Sequence, residues 1–110
     1  MLNYEISPVD MHDLLAAGST DKIVLLDVRE PWEFEEARIE GSVLIPLGEV
    51  QSRAQQELDS QTRVIVICHH GRRSMTATAW LREQGFEQAQ SLRGGIDGWS
   101  AAIDPSIPRY

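Results

Sequence analysis

Residues 64–68 read Val-Ile-Val-Ile-Cys, an unbroken run of β-branched side chains closed by the chain's single cysteine, Cys68. A run this short and apolar predicts a strand buried on both faces, which needs structure above and below it. The next residues, His69-His70-Gly71-Arg72-Arg73, are polar and cationic, and a helical pattern begins at Ser74. Strand, tight turn and helix in that order make a unit of a parallel α/β sheet.

The rest of the chain repeats the alternation. Tyr4-Glu5-Ile6 reads as a first strand. Ser7-Pro8-Val9-Asp10 opens a helix, with Ser7 as the cap, Pro8 at the first helical position and Asp10 at the positive end. Met11, Leu14 and Leu15 share a face of that helix, and Gly18 ends it. Ile23-Val24-Leu25-Leu26-Asp27 reads as a second buried strand, residues 30–37 as a short acidic helix, and Val43-Leu44-Ile45 as a short strand. Leu47, Val50, Ala54 and Leu58 recur at helical spacing. The helix from Ser74 runs to Gln84 and stops at Gly85. Gln90-Ser91-Leu92 reads as an edge strand, Gly94-Gly95 as a turn, and Ile96, Trp99 and Ile103 as the mark of a last helix. The expected fold is α/β: a single domain over residues 1–110, with a central parallel sheet and helices on both faces. In such folds ligands gather at the carboxyl ends of the strands. Asp27 and Cys68 both occupy ends of that kind.

Composition narrows the function. A chain of 110 residues buries a core without disulfides or a structural metal. The net charge of −7 argues against a nucleic-acid binder. No apolar run approaches the roughly 18 residues of a membrane span. Met1-Leu2-Asn3-Tyr4-Glu5 lacks the basic start and apolar stretch of a signal peptide. One cysteine forms no internal disulfide, so a reducing, cytoplasmic location is expected.

Charge is unevenly spread. Acidic residues crowd into the segment 30–36, whereas residues 69–73 carry none. There is one lysine, Lys22, so nearly all positive charge is arginine, whose fork suits oxyanions. A thiol at the junction before Ser74 faces the N–H groups of the turn and of the helix start, which favour negative charge, as do neighbouring cations. Curled around the sulfur, the turn becomes an anion cradle, fit for a thiolate or for the anionic outer sulfur of a persulfide. Gly71 permits a backbone angle closed to other residues. The arrangement suggests covalent catalysis by Cys68. The plainer reading is a small buried hydrophobe ending a strand.

The segment from Val64 to Gly98 resembles the rhodanese family of sulfurtransferases, as does Asp27-Val28-Arg29-Glu30-Pro31-Trp32-Glu33-Phe34. Gly41, Ile45-Pro46 and Gly94-Gly95-Ile96-Asp97-Gly98-Trp99 extend the likeness over nearly the whole chain. The resemblance implies a three-layer rhodanese-like domain. It implies that Cys68 accepts a sulfane sulfur as a persulfide, within an active-site loop running from Cys68 to Arg73. The sequence departs from the family at Ala37-Arg38-Ile39, where Gly-His-Ile is usual. Cysteine phosphatases resembling this fold carry arginine six positions after the cysteine. Here Ser74 stands there, and the shorter loop suits one sulfur atom better than a tetrahedral phosphate.

The expected activity is sulfur transfer from a small anionic donor such as thiosulfate to cyanide, a thiol or a protein, with no metal or organic cofactor. Cys68 is the nucleophile. The N–H groups of His69, His70, Gly71, Arg72, Arg73 and Ser74 hold the persulfide, and Arg73, supported by Arg72, orients the donor. Asp27 either orients the loop, accepts from Arg29 or bonds nearby backbone at its turn. Arg29 either faces the pocket or pairs with Glu33, four residues on. His69 and His70 without a third ligand make no zinc site. Trp80 and Trp99 read as packing, and Trp32 as a residue near the pocket mouth. A non-catalytic binding module and a phosphatase or arsenate reductase are the alternatives. A reductase would want a second cysteine.

Overall fold

The computed structural model describes residues 2–18 and 22–110. Met1, the first residue of the segment compared with signal peptides, lies outside that description. The strands are β1 (Glu5–Ile6), β2 (Ile23–Asp27), β3 (Val43–Leu44), β4 (Arg63–Ile67) and β5 (Ala89–Leu92). The helices are α1 (Pro8–Ala16), α2 (Pro31–Glu36), α3 (Val50–Glu57), α4 (Arg72–Glu83) and α5 (Gly95–Ala102). The five strands form one sheet in the order β1-β5-β4-β2-β3, with every pairing parallel. The α/β fold with a central parallel sheet is therefore as the sequence predicts.

Strand geometry sends alternate side chains to opposite faces, and β4 divides accordingly. Val64 and Val66 join one buried cluster with Leu26, Val50, Ala54, Ala77 and Leu81, so α3 and α4 cover that face. Ile65 and Ile67 join a second cluster with Met11, Leu92, Ile96 and Trp99, so α1 and α5 cover the other. Trp80 packs against the first cluster, which gives both Trp80 and Trp99 the packing role read from the sequence. At α1 the Ser7 hydroxyl accepts from the Asp10 N–H at 3.1 Å, and Pro8 follows in the first turn.

Some boundaries differ from the reading, for physical reasons. Residues 90–92 belong to an interior strand and not to an edge: β1 pairs outside β5, with Glu5 opposite Ser91, and all of β5 is buried. A two-residue β1 is too short to announce itself by periodicity. A 3₁₀ turn, Leu47–Glu49, precedes α3, so the apolar spacing from Leu47 spans two kinds of helix. Helix α4 starts at Arg72 and not at Ser74. Gly71 takes φ +105°, in the left-handed region, and completes the turn early enough for Arg72 and Arg73 to be helical.

Candidate active site

Cys68 follows the last residue of β4 and lies at the centre of the sheet's carboxyl end. It is a free thiol, 1% exposed, on the face of β4 that carries Val64 and Val66. Its apolar side meets the first core cluster. Its polar side meets the turn: the Gly71 N–H donates to Sγ at 3.0 Å, and the Ser74 hydroxyl lies 3.3 Å away. The burial is what a packing role expects; the Gly71 N–H is a donor that a sulfur anion can use, whereas the neutral thiol donates to the Ser74 hydroxyl.

The turn is held from outside. The N–H groups of Ile96 and Asp97, in the first turn of α5, donate to the carbonyls of Cys68 and His69 at 2.8 and 3.1 Å. The backbones meet so closely there that a Cβ on Gly95 would collide with both carbonyl oxygens. Helix α5 therefore takes up the oxygen side of the turn.

Asp27 and Arg29 lie at the neighbouring strand end and are fully buried. The Arg29 guanidinium grips the Asp27 carboxylate, with Nε–Oδ1 at 2.9 Å and Nη2–Oδ2 at 2.6 Å, and the Arg29 backbone N–H donates to Oδ1 at 3.0 Å. Asp27 thus both accepts from Arg29 and bonds nearby backbone. The expected Arg29–Glu33 pair does not form: Arg29 reaches only the Glu33 carbonyl, at 3.2 Å. Arg29 precedes α2, so helical spacing does not apply to it. The remaining Arg29 donor bonds reach the Ala37 carbonyl at 2.6 Å and the Tyr110 hydroxyl at 2.9 Å.

The Glu33 carboxylate goes instead to Arg73, in a two-bond pair of 2.6 and 2.9 Å, and accepts from the Tyr110 hydroxyl at 2.6 Å. The Arg73 guanidinium is the leading cause that lowers Glu33 to about 2. Burial, followed by the bond to Glu33, pushes the Tyr110 phenol up to about 12. The sequence reading turns Arg73 toward an anionic donor; both its terminal nitrogens are committed to Glu33. Arg72 is exposed.

The Tyr110 ring stacks on His69 with centroids 4.1 Å apart and planes 7° apart, and His70 stacks on His69 at 3.9 Å. Trp32, 60% exposed, meets Tyr110 edge-on at 5.9 Å, beside the loop. Burial, with His70 next, lowers the His69 imidazole below its ordinary range. Asp97 brings a carboxylate to the two histidines, with the candidate ligand atoms within 4.8 Å of one another. Asp97 is thus the third ligand-type side chain that the sequence reading of the two histidines lacked, and its carboxylate is also paired with Arg109 at 2.9 and 3.0 Å.

The family model for the rhodanese-like domain matches residues 7–102. The chain belongs to the rhodanese-like domain family. A putative sulfur carrier protein, YrkF of Bacillus subtilis, is 43% identical over 86 residues, covering 78% of this rhodanese-like domain and 46% of the relative. Thiosulfate sulfurtransferase GlpE of Pseudoalteromonas translucida is 30% identical, covering 81% of this chain and 84% of that one. A rhodanese-related protein of Thermoplasma volcanium superposes with a TM-score of 0.82 at 29% identity, over 98% of this chain and all of that one. The chain spans less than half the length of several of its curated relatives, YrkF included.

Sequence reasoning named Glu33 only as a partner for Arg29 and missed its pairing with Arg73, and it missed Tyr110 altogether. Glu33 left one trace, because Glu30 and Glu33 form a capping box across the start of α2, at the usual three-residue spacing. Tyr110 lies 81 positions from Arg29, and no local pattern links them.

Proposed function

We propose that this rhodanese-like domain is a sulfurtransferase that carries a sulfane sulfur on Cys68 as a persulfide. The observation that carries the reading is the Gly71 N–H donating to Sγ at 3.0 Å across the turn into α4. A donor positioned on sulfur lowers the cost of a sulfur anion there. Relatives named as a sulfur carrier protein and as a thiosulfate sulfurtransferase support the same chemistry.

The Cys68 thiolate attacks the outer sulfur of a donor such as thiosulfate. A sulfur–sulfur bond forms to Cys68 as the donor's own breaks, and sulfite leaves with the electron pair. An acceptor nucleophile (cyanide in an assay, a thiol or a protein in the cell) then attacks the outer persulfide sulfur, and the pair of that bond returns to Cys68. Both half-reactions share one covalent intermediate, so the kinetics are ping-pong. The turn His69-His70-Gly71-Arg72-Arg73 with Ser74 forms the persulfide seat, and Asp27 and Arg29 support it from the neighbouring strand. With Arg73 paired to Glu33, the exposed Arg72 is the guanidinium offered to the donor. The working unit is one domain over residues 1–110, acting in the cytoplasm, where a lone thiol stays reduced.

Intact-mass measurement tests the proposal. Incubation with thiosulfate should add one sulfur atom, and cyanide should remove it as thiocyanate. Cys68→Ser should do neither. An unmodified mass in the wild-type protein under saturating thiosulfate overturns the thiosulfate reading. Sulfur retained by Cys68→Ser overturns the persulfide.

A further inference from the structure

Three side chains stand in a row behind the turn. The Cys68 Sγ meets the Ser74 Oγ at 3.3 Å, and the Ser74 Oγ meets the Ser91 Oγ at 2.7 Å. Ser74 and Ser91 have no exposed surface. The fold sets this row by register. Ser91 pairs with Val66 across the β4–β5 ladder, and Cys68 is two residues beyond Val66, on the same face. Helix α4 lays Ser74 over that spot. A serine in the interior of a sheet costs free energy unless its hydroxyl is bonded, so its partner matters.

Counting hydrogens gives the row a direction. Among the described residues, Ser74 is the hydrogen-bond partner of the Ser91 hydroxyl, and the neutral Cys68 thiol donates to Ser74. If the sulfur is an anion it only accepts. Ser91 then donates to Ser74, Ser74 donates to sulfur, and both hydroxyl hydrogens are used. If Ser74 points the other way, toward Ser91, the Ser91 hydrogen faces no acceptor in a buried place. Ser91 therefore selects the orientation in which the Ser74 hydrogen faces Cys68, and chained donors of this kind strengthen one another.

We infer that Ser91 is a positioning residue for the sulfur chemistry of this domain, acting through Ser74 to aim a hydroxyl hydrogen at the anionic form of Cys68. The inference rests on Cys68 being the sulfur-carrying residue, but its test needs no sulfur transfer. Charged and titratable groups surround the turn: Arg73 on α4, Glu33 on α2, the Asp27–Arg29 pair after β2, His69 and His70 in the turn, Asp97 on α5, and Arg109 and Tyr110 beyond it. None of them bonds to the hydroxyl of Ser74 or Ser91, so they act alike on the wild type and on variants of the row.

The thiolate ultraviolet absorbance of the full chain, followed across pH, reads the effect directly. Ser91→Ala should lower the thiolate-to-thiol ratio at a given pH by about three- to ten-fold, the scale of losing part of a hydrogen bond to a charge. Ser91→Thr, which keeps the hydroxyl, should titrate with the wild type. Ser74→Ala should shift the curve at least as far as Ser91→Ala, and Ser91→Ala should add nothing in that background. A Ser91→Ala curve that overlays the wild type overturns the inference, as does an added shift in the double variant. If Ser91→Ala does not fold, Ser74→Ala decides alone: a curve unchanged from the wild type refutes the row. Failure here with normal sulfur loading would leave the persulfide reading intact; normal titration effects without loading would do the reverse.

Discussion

Arg73 and Glu33 are forty positions apart in the chain and meet side by side, Nη1 on Oε1 at 2.6 Å and Nη2 on Oε2 at 2.9 Å. The pair ties the first turn of α4 to α2. Glu33 is nearly buried and Arg73 about one-third exposed, so the interaction is only partly screened. Glu33→Gln should cost about 1–2 kcal/mol near neutral pH. The sign with pH follows from the direction of the shift. Glu33 is held below its ordinary value, so its contribution is full above about pH 4.5 and lost as pH falls toward about 2. Urea midpoints of wild type and Glu33→Gln should thus converge on acidification. A constant gap would show that the charge is not what matters.

Asp27→Asn should be harsher. It leaves the Arg29 guanidinium, fully buried, without its counter-charge. Breaking such a pair costs about 3–5 kcal/mol, a large share of the roughly 5–15 kcal/mol that holds a domain together. Chemical denaturation measures it directly. A loss under about 1 kcal/mol would mean that the Ala37, Glu33 and Tyr110 oxygens around Arg29 suffice without the carboxylate.

Tyr110→Phe keeps the ring over His69 and removes the hydroxyl between Arg29 and Glu33. A loss of about 1 kcal/mol at neutral pH is expected for the hydrogen bonds. The phenol is held above its ordinary value, so its contribution is complete below about pH 10 and fades as pH rises to about 12. Phenolate absorbance of the wild type should contain a late component near that upper limit, and Tyr110→Phe should lack it. If that component persists in the variant, it belongs to another group.

Gly95→Ala and Gly85→Ala make a matched pair. Both glycines have positive φ, +61° and +97°, so both substitutions carry about 1–2 kcal/mol of backbone strain. A Cβ at Gly85 meets nothing within 4 Å, whereas one at Gly95 strikes the carbonyls of Cys68 and His69. Gly95→Ala should therefore lose more stability and most of its sulfur loading, while Gly85→Ala keeps its loading. Equal loading in the two would detach α5 from the turn.

The parallel sheet and the place of Cys68 were legible because each rests on neighbours in sequence. Val64 to Ile67 announce a strand, and Gly71 announces the turn. The partners of the charged residues were not legible. Arg29 was matched to Glu33 by a helical spacing that applies only inside a helix, and Arg29 stands just before one. Arg73 was assigned to an incoming anion because its counter-charge lies on another helix, forty positions away in the chain. Ser91 was read as an edge position because the two-residue β1 beyond it carries too little pattern to be seen. In each case the missing information was which segments stack together, and no local run of residues encodes that.

The grip of α5 on the Cys68 and His69 carbonyls carries a consequence for diversity at this site. A peptide plane with its oxygen anchored on one side must offer its hydrogen to the other. The polarity of the turn is thus imposed by main chain 28 residues downstream, and its own side chains are spared that duty. Positions 70 and 72, both exposed, can then change in size and charge, retuning which molecule docks, while the receptacle for sulfur beneath them keeps its electrical sense.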